Sequence, residues 1–148
     1  MAWRPYTGAY KYKFYPKTAS TAFTRGAVVD VLDGFIAIAD ITRRSHSGII
    51  QKTVVSTDSD YASETRLPLI VPSSPTTEFR VSVLSTDTAV ATDVGNFFDL
   101  AGSPVGIDVT RATSADDAAL VTRFFGANDV AVHLNAFKPM KEGLGTEA

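Results

Sequence analysis

The sequence of 148 residues contains no cysteine, which removes disulfide frameworks, thiolate metal sites and cysteine nucleophiles together. Histidine is almost as scarce: there are two, His46 and His133. Neither has a second histidine or a carboxylate at a ligand spacing such as HExxH, so no metal is assigned to them. His133 reads as an ordinary surface strand position, and His46, in RRSHSG beside Arg43 and Arg44, as a loop residue. No apolar run approaches the roughly 20 residues that a membrane-spanning helix needs, and no secretory segment opens the chain. A soluble protein made in the cytoplasm is the expectation, with no membrane partner.

Glycine-rich phosphate loops, nucleophile elbows and glycosylation sequons are missing too. The segment DSDYASE, Asp58 to Glu64, supplies three carboxylates, but without the glycine and distal glutamate of a calcium loop it reads as an Asp-stabilised turn. Nothing places the pair Asp116-Asp117 across a cleft, as glycoside hydrolysis requires. No enzyme, catalytic residue, cofactor or metal is expected.

The most informative shortage is local. Residues 1 to 25 carry no acid, but hold Arg4, Lys11, Lys13, Lys17 and Arg25, which leaves nine bases against sixteen acids in the rest of the chain. The same stretch holds Trp3, Tyr6, Tyr10, Tyr12, Phe14, Tyr15 and Phe23, seven of the fifteen aromatics. Composition changes at Arg25-Gly26, which divides the chain into an extended N-terminal arm (1–26), a β-rich body (27–137) and a C-terminal tail (138–148).

From Ala27 onwards, short β-branched runs alternate with turn formers. AVVDVL, Asp33-Gly34 and FIAIADI predict a hairpin through a tight primed turn. GIIQKTVV, RLPLIV, EFRVSVL, TAVATDV, GIDVT, LVTRFF and DVAVHL are further strand candidates, spaced by polar turns. In the last, Val130, Val132 and Leu134 face one side and Ala131, His133 and Asn135 the other. Pro68 points to an edge strand or a bulge. SADDAAL, 114–120, is the one candidate helical turn. The fold class is all-β, an antiparallel β-sandwich or small β-barrel with an extended N-terminal arm.

In the arm, Tyr10, Tyr12 and Phe14 alternate with Lys11, Lys13 and Tyr15, so an extended chain lines one face with rings and leaves the other largely basic. The entropy cost of ordering about 20 residues is of the same size as the return from burying seven rings. The arm is therefore expected to order only where most rings find a surface: its own core, a single strand of nucleic acid, or a neighbouring protein. Nucleic acid is disfavoured by the acidic body. An acidic protein partner fits best, contacted through Trp3, Arg4, Tyr6, Tyr10, Lys11, Tyr12, Lys13, Phe14, Tyr15, Lys17 and Arg25.

IIQKTVVSTDSDYASETRLPLIVP at 49–72 with EFRVSV at 78–83, and VGNFFDLAGSPVGIDVT at 94–110 with FFGANDVAVHLN at 124–135, resemble small structural proteins of tailed bacteriophages encoded beside the major capsid protein, the head decoration or cement type. The arm lies outside that match. The resemblance implies a non-enzymatic protein on the outer surface of the virion capsid, bound to the major capsid protein and to neighbouring copies of itself, as a trimer in many such proteins, with no cofactor. Two alternatives stand beside it: a tail or connector component, and a carbohydrate-binding or host-adhesion module, since exposed Tyr and Trp stack on sugars.

Overall fold

Asp33 and Gly34 both sit at positive φ, 52° and 88°, the backbone that a two-residue primed turn demands. They close the predicted hairpin, with Leu32 opposite Phe35 and Val29 opposite Ile38. The computed structural model describes residues 3–40, 46–74, 76–83, 88–101, 106–108 and 119–134. Within them lie eleven strands: β1 (Arg4–Thr7), β2 (Tyr10–Pro16), β3 (Val28–Leu32), β4 (Phe35–Ile38), β5 (Gly48–Ile50), β6 (Arg66–Pro72), β7 (Glu78–Ser82), β8 (Phe97–Ala101), β9 (Gly106–Asp108), β10 (Ala119–Gly126) and β11 (Asp129–Leu134). They form a six-stranded sheet in the order β1-β7-β11-β10-β8-β9 and a five-stranded sheet in the order β2-β6-β5-β3-β4. Both sheets are antiparallel and neither closes into a barrel, so the all-β, sandwich-like class holds. No helix among the described residues is long and apolar enough to cross a membrane.

The apolar alternation builds two cores. Phe79, Val81, Val130, Val132, Leu134, Phe98, Leu100, Ile107 and Val121 from the larger sheet join Val28, Ile49 and Ile70 from the smaller one in a single buried cluster. The other face of the smaller sheet supplies Val29, Ile36, Ile50, Leu67 and Leu69 to a second cluster, capped by Phe23 and Val54 from loops. That strand residues of opposite parity are buried on both sides explains the nearly continuous apolar reading of GII and LPLIV.

Several sequence expectations are corrected. β6 is interior, paired with β2 on one side and β5 on the other. Pro68 is accommodated there because its backbone turns toward β5 just past that strand's last residue: its carbonyl accepts from the Gln51 amide at 3.0 Å, and little ladder remains to miss its N–H. TAVATDV forms no strand; it contains a single 3-10 turn, Ala91–Asp93, held by the Asp93 carboxylate accepting from the Val90 amide at 2.9 Å. β8, in NFFDLA, was not among the strand candidates. Of the proposed helical turn, Ala119 and Leu120 belong to β10, and the remainder lies outside the described residues, as do Arg43, Arg44 and the tail 138–148. The Asp58 carboxylate accepts from the Val55 amide at 2.8 Å, an Asp-stabilised turn.

The largest correction concerns residues 3–26, which are not a free arm. β1 pairs with β7 and β2 with β6, so the segment is built into both sheets and crosses between them at Gly8. Trp3 and Phe23 are buried in the two cores. The Trp3 amide donates to the Gly26 carbonyl at 2.9 Å and the Phe23 amide to the Val54 carbonyl at 2.9 Å. Much of the surface this segment needed was therefore offered by its own chain.

Candidate functional site

What the docked segment leaves uncovered is more specific than the segment as a whole. In β2 the first five residues are exposed, and Tyr10, Tyr12 and Phe14 remain 41%, 59% and 54% accessible. Directly opposed residues of an antiparallel pair share a face, so Tyr12 shares the face of Ile70, and Tyr10 and Phe14 those of Pro72 and Pro68. Ile70 is buried against the larger sheet. β2, at the edge, overhangs that contact and carries its rings into solvent. The Tyr10 and Tyr12 rings meet edge to face, 6.0 Å apart and inclined by 76°.

The backbone of β2 has a matching polarity. The Lys17 amide donates to Thr65 and the Ser73 amide to the Ala9 carbonyl, so odd-numbered residues are the ones bonded to β6. The amides of Tyr10, Tyr12 and Phe14 therefore turn to the open edge. The Phe14 carbonyl is met there by the Arg66 guanidinium at 3.0 Å, and the edge ends at Pro16, which has no N–H to offer. Lys11 and Lys13 are exposed on the other face, and among the described residues neither takes part in an ion pair. One strand thus presents rings, free backbone groups and positive charge together.

The other predicted contact residues divide. Trp3 is in the core and Lys17 is fully buried; the Lys17 ammonium donates to the Tyr61 carbonyl at 2.5 Å and the Thr18 carbonyl at 3.1 Å. Both are structural, contrary to their predicted role at a partner surface. Tyr15 is half-buried against the second cluster. Arg4, Tyr6 and Arg25 are exposed, but they lie away from the β2 row.

Tyr6 belongs to a cluster on the outer face of the larger sheet that sequence reasoning missed. The Arg123 guanidinium lies 5.4 Å from the Tyr6 ring, Tyr6 meets Phe125 edge to face at 5.2 Å, and the Arg80 guanidinium covers Phe125 at 4.0 Å. Arg80 is paired with Asp129, Nε to Oδ1 at 3.0 Å, and Arg123 with Glu78, Nε to Oε2 at 3.1 Å. The register shift between Val121 and Arg123 is what turns Arg123 outward, and no local signal in LVTRFF marks it. Burial by itself would push the Glu78 carboxyl up, but hydrogen bonds from Thr122, Thr7 and Arg123, with the charge of Arg123, hold it at about 2. The hydrogen bond from Arg80 likewise lowers Asp129, against the effect of its burial.

The two histidines also part company. His133 is half-buried opposite Glu78. His46 is buried, its Nδ1 2.9 Å from Asp30 Oδ1, and Asp30 also accepts from the Asp40 amide at 3.0 Å. This pair pins the chain leading into β5 to β3. Among the described residues no group of three or more His, Asp or Glu is arranged to hold a metal ion.

Comparison of the chain with protein-family models, with curated proteins and with solved structures finds no match in any of the three.

Proposed function

We propose that this chain is a non-enzymatic structural protein that docks on the outer surface of a tailed-phage head, binding the major capsid protein through the open edge of β2. The observation that carries the reading is the row Tyr10, Tyr12 and Phe14, three large rings left in solvent on a strand whose Lys11 and Lys13 make no ion pair among the described residues. Exposed rings in a contiguous row mark an interaction surface more than scattered apolar residues do. Tyrosine beside a cationic residue is the composition that interfaces enrich. An extended acidic segment would bond the free amides of Tyr10, Tyr12 and Phe14 while its carboxylates meet Lys11 and Lys13. The resemblance of residues 49–72 and 94–110 to decoration proteins supplies the kind of partner.

A sugar-binding reading is less well supported, because a pyranose ring stacks on a flat platform and the Tyr10 and Tyr12 rings are inclined by 76°. Removing residues 2–25 does not test the proposal, since that deletion takes Trp3, Lys17 and Phe23 out of the interior. The test is the double variant Tyr12→Ser, Phe14→Ser, compared with the unaltered protein for co-sedimentation with capsids. Each ring that becomes fully buried at the contact contributes roughly 1.5–3 kcal/mol, so retention is expected to fall by more than tenfold. Undiminished retention by a folded double variant would overturn the reading.

A further inference from the structure

The N-terminal strand closes over a second feature, on which neither the capsid reading nor the β2 row depends. A cavity of about 290 Å³ opens where β1 begins, lined by Trp3, Arg4, Pro5, Arg25, Gly26 and Gln51. Its walls are tied by backbone bonds: Trp3 donates to the Gly26 carbonyl at 2.9 Å and Gly26 donates to the Ile50 carbonyl at 2.8 Å. Arg25 is positioned by its own amide, which donates to the Thr53 hydroxyl at 3.0 Å. The Gln51 side-chain amide is fixed by donation to the Ile49 and Ile50 carbonyls, both at 3.2 Å.

The charge of this cavity is one-sided. Two of its six lining residues are arginines and none is acidic, in a chain whose net charge is -2. Arg25 makes no ion pair among the described residues, and neither does Arg4. The charge of Arg4 reaches Asp129, but that carboxylate is already held from two sides by Arg80, which leaves the Arg4 guanidinium its donors. Guanidinium forks match planar two-oxygen acceptors, and Trp3 and Pro5 give the cavity an apolar wall beside the two arginines.

The geometry points to a carboxylate-binding pocket, with Arg25 and Arg4 holding the two oxygens and Trp3 with Pro5 flanking the stem that carries them. The carboxylate could arrive on a free small acid or on a Glu side chain of a docked polypeptide, and the chemistry at the pocket is the same. Trp3 is the chain's one tryptophan, so indole emission reports on this pocket without interference.

The experiment titrates the full-length protein with glutarate, with neutral glutaramide, with inorganic phosphate, and with a Gly/Ser peptide containing one Glu. Glutarate is expected to change the Trp3 emission saturably and glutaramide to leave it unchanged. Arg25→Gln and Arg4→Gln, both at exposed positions that leave the core intact, should each weaken glutarate binding by about tenfold, the loss of one charge-assisted bond. A peptide that binds tenfold or more tightly than glutarate would place the acid on a polypeptide; equal affinities would place it on a small molecule. The assignment is overturned if glutarate does not saturate, if glutaramide binds as well, if phosphate binds more tightly, or if both arginine variants respond like the unaltered protein.

Discussion

Lys17 and Ile36 belong to opposite edges of one five-stranded sheet and yet form a parallel bridge, with the Thr18 amide donating to the Ile36 carbonyl at 3.0 Å. The smaller sheet therefore curls until its first and last strands touch at one end. In the larger sheet Val83, just past the interior strand β7, forms a parallel bridge with Ile107 of the edge strand β9. Lys17 sits at the seam of the smaller sheet with its ammonium turned to two carbonyls.

Lys17→Met tests that seam. The substitution keeps the apolar stem but leaves the Tyr61 and Thr18 carbonyls without their donor, a cost of about 1–3 kcal/mol for a buried acceptor. A urea titration should show a lower midpoint with an unchanged slope. Capsid retention per folded molecule should be unaffected, since Lys17 is inside.

Two glycines at positive φ should behave differently. Gly34, at φ +88, has open space where a Cβ would go, so Gly34→Ala should cost only the backbone strain of about 1–2 kcal/mol. At Gly8, φ +89, a Cβ would lie 2.9 Å from the Thr77 Cα, backbone that cannot swing aside. Gly8→Ala should therefore destabilise the protein distinctly more, and amide exchange should show the excess in β1 and β2, which Gly8 joins.

Glu78 makes stability acid-sensitive in a defined direction. Its folded pKa, about 2, lies below the ordinary value of 4.5, so the folded state binds the proton less readily than the unfolded one. The contribution of this carboxylate is complete above about pH 4.5 and is lost as pH falls from there toward 2. Thermal unfolding followed over that range should show a midpoint that drops with acid. Glu78→Gln should start lower at neutral pH and lose less of its midpoint on acidification.

Charge at the edge strand can be separated from its rings. Lys11→Glu, Lys13→Glu should leave the melting temperature nearly unchanged, as exposed substitutions usually do, while weakening capsid retention. Added salt should loosen the unaltered protein only in part, because ring burial is not screened. Full release by moderate salt would mean that the rings contribute nothing.

The features legible in the residues are those set within a few positions of each other. The Asp33-Gly34 turn follows from local φ preferences, the inward face of Val130, Val132 and Leu134 from period-two alternation, and the common face of Tyr10, Tyr12 and Phe14 from the same geometry; the burial of Ala131 on the opposite face does not follow from it. Tertiary structure decided where those strands go. Arg4 pairs with Arg80 and Tyr10 with Pro72, partners more than sixty positions away, and no local pattern states which sheet edge is open to receive a strand. For the same reason the burial of Lys17 and His46 and the clustering of Tyr6 with Phe125 were hidden. A charged or aromatic side chain is assigned to core, seam or solvent by what packs over it, and that is a property of the assembled sheets alone.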